Sequence, residues 1–210
     1  MKQGFLVFLS AALAMLPLAV GSQAGAQALP TTPKDGDEVA VLETDKGRIV
    51  LMFYPEKAPK HVAQFKLLVK EGFYDGVRFH RCFENFVIQG GDPLTKDLSK
   101  ASQWGTGGYV KDGKEVNIPL EPSDLSHTRG VLSMARAQDP DSASSQFFIM
   151  TADQTRLDRQ YSAFGRVVTG MDVVDAIAKT GDPSREANGR VRPGDAVKIV
   201  KATLATWPLK

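Results

Sequence analysis

Residues 39–54 read VAVLETDKGRIVLMFY, two β-rich alternating runs separated by Thr44-Asp45-Lys46-Gly47. Strand-length runs on either side of a turn-forming tetrapeptide are a strong antiparallel hairpin signal. Outward from it, residues 58–72, APKHVAQFKLLVKEG, predict a helix. Pro59 suits the first helical turn, Val62, Phe65 and Val69 recur at helical spacing, and Gly72 suits the stop. Strand-like segments follow at 76–83 (GVRFHRCF) and 85–91 (NFVIQGG), then a loop of about two dozen residues rich in Gly, Lys and Asp up to Val116. Strands resume at 117–121 (NIPLE), 130–136 (GVLSMAR), 145–151 (SQFFIMT) and 162–168 (SAFGRVV). A second helix is predicted at 171–180 and a last strand at 196–207 (AVKIVKATLATW). Eight or so short strands with two helices point to a mainly β antiparallel barrel or sandwich. The expected form is a closed eight-stranded antiparallel β-barrel capped by two α-helices, because closure removes the exposed edges that such a chain would otherwise carry.

The chain has 210 residues, 42% hydrophobic and 24% charged, which suits one folded domain. Lys plus Arg number 26 and Asp plus Glu 24, a formal net charge of +2 with the basic residues scattered, so no nucleic-acid partner is expected. Residues 1–28 have the layout of a secretory signal peptide: Lys2, an apolar run from Phe5 to Val20, then Ala26-Gln27-Ala28. The expected organisation is therefore a signal peptide over 1–28, a linker over 29–38 and a domain over 39–210. The product is then exported, periplasmic in a bacterial cell, and has no membrane association after cleavage. An uncleaved anchor is the competing reading, although the apolar run falls slightly short of the roughly 20 residues that a spanning helix needs. A monomer is the default, since no oligomerisation signal is visible.

Cys82 is the only cysteine, so no internal disulfide forms, and a small apolar side chain in a strand is the preferred reading over a nucleophile. His61, His80 and His127 lie far apart, without the close spacing of a metal set. GTGGYV at 105–110 lacks the Lys-Ser/Thr ending of a phosphate loop and reads as a flexible or tight-turning loop. Ser133, Ser144 and Ser145 have no nucleophile elbow around them and no evident histidine partner. An enzyme with this sequence is expected to work without metal, cofactor, covalent intermediate or titrating group.

Arg81 has an ordinary reading when taken alone. On a two-residue period Val77, Phe79, Arg81 and Phe83 share one strand face, which puts Arg81 at a rim, paired with a carboxylate. The balance changes when several segments are taken together. FHRCFENFVIQGGD (79–92), RGVLSMARA (129–137), SSQFFIMT (144–151) and FGRVVTGMDVVDAI (164–177), in this order and at these separations, closely resemble the cyclophilin family of peptidyl-prolyl cis-trans isomerases. The resemblance runs from Val39 to the C-terminus and implies an eight-stranded antiparallel barrel with two helices covering its ends.

Carried across by position, the resemblance makes Arg81 the catalytic arginine and Gln89 the glutamine beside it. It puts Phe86, Val87, Phe148 and Leu157 in the apolar pocket that receives the substrate proline ring. Ala135, Arg136 and Gln146 match positions lining the neighbouring groove. Tyr161 stands where a pocket histidine is usual, as in bacterial members, Arg156 where the pocket rim is often aromatic, and Arg136 where many eukaryotic members have Asn. These departures imply weak cyclosporin binding. The implied partners are proline-containing polypeptides, including unfolded or newly exported proteins. The alternative is a proline-peptide-binding or chaperone module with little turnover.

Overall fold

The computed structural model describes residues 29–181 and 189–210. The signal peptide expected over 1–28 lies outside the described residues. The opening hairpin forms as β1 (Glu38–Thr44) and β2 (Gly47–Phe53), closed by Thr44 Oγ1 donating to the Gly47 carbonyl at 2.7 Å. Then come α1 (Pro59–Lys70), β3 (Arg81–Cys82) and β4 (Val87–Gly90). A small separate hairpin is built of β5 (Val110–Lys111) and β6 (Lys114–Glu115). The chain continues through β7 (Val131–Met134), β8 (Phe147–Met150), β9 (Ala163–Thr169), α2 (Met171–Ala178) and β10 (Ile199–Thr206).

Eight of these strands form one curled antiparallel sheet in the order β10-β1-β2-β9-β7-β8-β4-β3. Among the described residues the closed ladder expected from the strand count does not form, and the sheet is a half-barrel ending at β10 and β3. β3 has only two residues, and its free edge meets the segment around Gly189–Val191 rather than β10: Cys82 N–H donates to the Gly189 carbonyl at 2.8 Å and Val191 N–H to that of His80 at 3.1 Å. Just before it, residues 76–79 reach towards β10 through an isolated Arg78–Lys198 bridge and bonds such as Phe79 N–H to the Val197 carbonyl at 2.9 Å.

This seam also changes a side-chain face. Phe79 and Cys82, three apart, both enter the main core, whereas Arg81 turns outward towards Phe83 and Phe86. The two-residue period expected over Val77, Phe79, Arg81 and Phe83 is thus broken where the backbone passes from the Val197 carbonyl to that of Gln89. The NIPLE segment forms no strand, only an isolated Ile118–Ala143 bridge. Pro119 has no N–H to give a ladder, and the next two amides go to side chains, Leu120 to Asp141 and Glu121 to Ser162. The long loop expected up to Val116 is partly ordered into 3₁₀ turns at Pro93–Lys96 and Leu98–Gln103, each opened by an aspartate, Asp92 and Asp97, accepting a backbone N–H.

The core lies on the inner side of the curl. Helix α1 buries His61, Val62, Phe65, Leu68 and Val69, with the Phe65 ring 5.0 Å from Tyr74, 5.3 Å from Phe147 and 5.4 Å from Phe164 between centroids. Ala58 at its N-cap has no side-chain acceptor. Glu121 does the capping from a distance, accepting from the N–H groups of Lys60 and His61 and facing His61 Nδ1 at 2.7 Å. Helix α2 packs Val174, Ile177 and Ala178 inward. On the outer side of the hairpin, Val39, Val41, Val50, Met52 and Tyr54 are buried beneath Leu29, Trp207 and Leu209. The segment 29–38, expected as a linker, is tied to this face and enters β1 at Glu38: Tyr54 donates to the Pro30 carbonyl at 2.7 Å, and Gly36 and Asp37 exchange backbone bonds with Trp207. Among the described residues no helix is long and apolar enough to cross a membrane.

Candidate active site

Strand alternation and register assemble the site on the outer face of β3, β4, β8 and β7. In β8, Phe147 and Ile149 point to the core while Phe148 and Met150 point outward; in β4, Ile88 points inward and Val87 outward. The pairings Arg81–Gln89, Gln89–Phe148 and Phe148–Ser133 then draw one transverse row across four strands. Arg81 and Gln89, on neighbouring strands of the chain, are brought to the distant Phe148 by register.

A chain of amides runs along this row. Arg81 Nη1 lies 3.4 Å from Gln89 Oε1, Gln89 Nε2 donates to Gln146 Oε1 at 3.0 Å, and Gln146 Nε2 donates to the carbonyls of Gly105 and Gly107 at 3.0 and 2.8 Å. The glycines of GTGGYV thereby gain a role that sequence reasoning missed. A Cβ on Gly107 would come within 2.3 Å of Asp92 Oδ1, so the loop approaches this closely only without a side chain there. The guanidinium of Arg81 lies 5.2 Å from the ring centroid of Phe83 and 5.9 Å from that of Phe86. Burial pulls its pKa below the ordinary arginine value.

Beside Arg81 is an apolar cluster of Val87, Val131, Ala135, Phe148, Met150 and Ala163, with Phe83, Phe86, Leu125, Leu157 and Tyr161 packed against it. Val87 and Ala135 are buried floor; Phe86, Leu157 and Tyr161 are partly exposed walls. Tyr161 meets Phe148 edge to face at 5.6 Å. A groove of about 360 Å³ adjoins it, lined among others by Gln89, Ala135, Arg136, Gln146 and Glu115. All ten residues singled out from the sequence fall in this region. Arg136 points away from the cluster floor, its guanidinium 4.7 Å from the Tyr161 ring centroid.

Behind the aromatic wall stands a residue to which sequence reasoning gave no role. His127 is fully buried, stacks on Phe148 at 6.0 Å and lies edge to face with Tyr161 at 6.4 Å. Its Nδ1 faces Asp158 Oδ1 at 3.1 Å and its Nε2 faces Ser133 Oγ at 3.0 Å. Asp158 also accepts from the His127 N–H and from Ser126 Oγ, each at 2.7 Å. Acid, imidazole and hydroxyl are in line, but Ser133 is fully buried beneath the pocket and no substrate reaches it. Burial pushes His127 below its ordinary pKa of 6.5 against the pull of Asp158. Burial works against the charge of Asp158 too, yet its hydrogen bonds hold it below the usual carboxylate range. No local motif announces this pair, because His127 and Asp158 meet only through the fold.

Cys82 is 2% exposed and burial raises its thiol to about 12, so it is a packing residue rather than a thiolate. Among the described residues, no three His, Cys, Asp or Glu side chains gather as a group that could hold a metal ion.

Residues 39–204 match the family model for cyclophilin type peptidyl-prolyl cis-trans isomerase/CLD. A probable peptidyl-prolyl cis-trans isomerase of Brucella abortus is 42% identical over 197 residues, covering 92% of this chain and 93% of that protein. The human peptidyl-prolyl cis-trans isomerase-like 1 is 41% identical over 162 residues, covering 77% and 89%. Among solved structures, a Cryptosporidium parvum cyclophilin type isomerase crystallised in the presence of the dipeptide Ala-Pro is similar with a TM-score of 0.67 at 26% identity, covering 80% of this chain and 99% of that one. With its motifs, its curled sheet and these matches in agreement, the chain belongs to the cyclophilin-type peptidyl-prolyl cis-trans isomerase family.

Proposed function

We propose that the protein accelerates rotation about X-Pro peptide bonds by electrostatic stabilisation from Arg81, with the proline ring held against Phe86, Phe148, Leu157 and Tyr161. The observation that carries this reading is the row Arg81–Gln89–Phe148, which sets a guanidinium beside an apolar cluster with an amide between them. Rotation is opposed by amide resonance, with a barrier of roughly 18 to 20 kcal/mol, and no covalent bond need break. In the twisted state the prolyl nitrogen loses conjugation and regains a lone pair. A donor fixed at that nitrogen stabilises the twisted state more than either planar one, which is the condition for catalysis.

Arginine suits the task because it stays charged at any working pH and presents a planar fork of donors. An acceleration of about a hundred-thousandfold requires about 7 kcal/mol. One charged hydrogen bond supplies about 1.5 to 3 kcal/mol, so the rest falls to the pocket and the partly dry setting of Arg81. The Gln146–Gly105–Gly107 contacts hold Gln89, and through it the guanidinium. The signal-like layout of residues 1–28 supports placing this activity outside the cytoplasm, on newly exported chains. Cyclosporin affinity is expected to be weak, because Arg156 replaces the usual rim aromatic.

NMR exchange spectroscopy on an Ala-Pro peptide tests the reading directly: added protein should broaden and exchange the cis and trans signals. A folded protein that binds the peptide without speeding exchange would leave only a proline-binding module.

A further inference from the structure

The pocket carries two cations besides Arg81. Arg156 lies 5.2 Å over the Phe86 ring and Arg136 4.7 Å over the Tyr161 ring, so each stacks on a wall of the apolar cluster. Arg136 is held in place by main-chain carbonyls: its Nε and Nη2 donate to Gln160 at 3.2 and 3.1 Å, and its Nη1 to Ala137 and Gln138 at 2.8 and 3.3 Å. Neutral acceptors fix the group without cancelling its charge. Among the described residues neither Arg136 nor Arg156 takes part in an ion pair.

The carboxylates close by in sequence bond elsewhere: Asp158 accepts from Ser126 and His127, Asp153 from the Arg129 N–H, Asp139 from the Asp141 N–H and Asp141 from the Leu120 N–H, and none of them is within ion-pair distance of either arginine. Glu115 is the one carboxylate among the residues lining the side groove, and it belongs to the β5–β6 hairpin rather than to the walls of the proline cluster. Cations held at the edge of a partly enclosed site outside any ion pair attract ligands of opposite charge. An extended peptide advances about 3.3 to 3.6 Å per residue, so side chains one or two positions from a seated proline lie roughly 3 to 7 Å along the chain from it, on the scale of the ring contacts of these two arginines.

We propose that Arg136 and Arg156 make this site selective for prolyl bonds flanked by acidic residues, an inference that rests on the isomerase reading above. The cations add attraction to an aspartate or glutamate beside the proline and repel a lysine at the same place. Two partly exposed pairs, each a modest attraction, separate a Glu peptide from its Lys counterpart by about five- to tenfold in kcat/KM at low salt.

The test is a set of short proline peptides with Glu, Ala or Lys at each of the two positions on either side of the proline. Their kcat/KM is measured by NMR exchange, so that no coupling protease imposes its own preference. The expected order at the best position is Glu over Ala over Lys, compressed to less than about twofold near 0.5 M salt. Arg156→Gln and Arg136→Gln should each narrow the Glu-to-Lys ratio, and Arg156→Glu should flatten or invert it. Equal kcat/KM for the three wild-type peptides overturns the proposal, as does a preference that neither salt nor substitution changes. The wild-type series decides the matter even if a variant fails to fold. Absence of exchange with every peptide would instead overturn the isomerase reading.

Discussion

Lowering the pH from 7 to 5 should destabilise the fold mainly through His80. This side chain is 5% exposed, and burial pulls its pKa from 6.5 to about 4, with the charge of Asp92 opposing that shift only in part. The folded state therefore holds the imidazole neutral while the unfolded chain takes up a proton near 6.5. In this window the unfolded state binds more protons, so stability falls as pH falls, and the slope vanishes below about 4, where both states are protonated. A shift of about 2.5 units corresponds to about 3.4 kcal/mol in all, of which about 2 kcal/mol is lost by pH 5. His61 and His127 are also held below 6.5 by burial and add loss of the same sign. The carboxylates held low by their partners, Asp75, Glu121 and Asp158, begin to contribute only at more acid pH. Urea unfolding at pH 7.5, 6 and 5 reads the effect, provided the m-value stays constant. The wild type should lose about 2 kcal/mol or more between pH 7 and 5, and His80→Gln about 2 kcal/mol less than the wild type. Equal pH slopes in the two proteins would refute the assignment to His80.

Asp158→Ala leaves the buried His127 Nδ1 and the Ser126 hydroxyl without their acceptor; a loss of roughly 2 to 3 kcal/mol, read as a Tm lower by about 4 to 12 °C, should come with a raised KM because Phe148 and Tyr161 lose their backing. An unchanged Tm would show that the pair braces nothing. Gly165→Ala sets a Cβ 2.3 Å from the Met52 carbonyl oxygen and 3.3 Å from Leu132 Cδ2, so β2 and β9 must part; denaturant unfolding should show a loss of roughly 2 to 3 kcal/mol. kcat/KM should be flat between about pH 6 and 8, since the proposed chemistry uses no group that titrates there and Arg81 stays protonated; a bell-shaped profile would mean acid-base chemistry.

The features legible in the sequence are those with local causes. The β1–β2 hairpin follows from two alternating runs around Thr44–Gly47, and α1 from Pro59 and the spacing of Val62, Phe65 and Val69. The features that escaped depend on partners far along the chain. The loss of a strand at 117–121 turns on Pro119 together with Asp141 and Ser162, and the outward turn of Arg81 on a seam with residues 189–191 and 197. Gln89 and Phe148 become neighbours only once the register between β4 and β8 is set, and alternation within either strand does not specify that register. The resemblance supplied that grouping, and the geometry agrees with it. His127 and Asp158 lacked even that signal, since neither sits in a recognisable motif and their contact exists only after β7 and the Thr155–Leu157 turn are packed together.

The central claim is that Arg81 stabilises the twisted peptide bond. The most direct measurement is kcat/KM of Arg81→Ala and Arg81→Lys beside the wild type on one Ala-Pro peptide, by NMR exchange, with circular dichroism and thermal unfolding to establish that all three are folded. Loss of the hydrogen bond alone lowers kcat/KM by about 10- to 150-fold, and loss of the dry cationic setting adds to this, so Arg81→Ala should fall by at least two orders of magnitude and Arg81→Lys should recover only a part. A folded Arg81→Ala protein with kcat/KM near that of the wild type would contradict the claim.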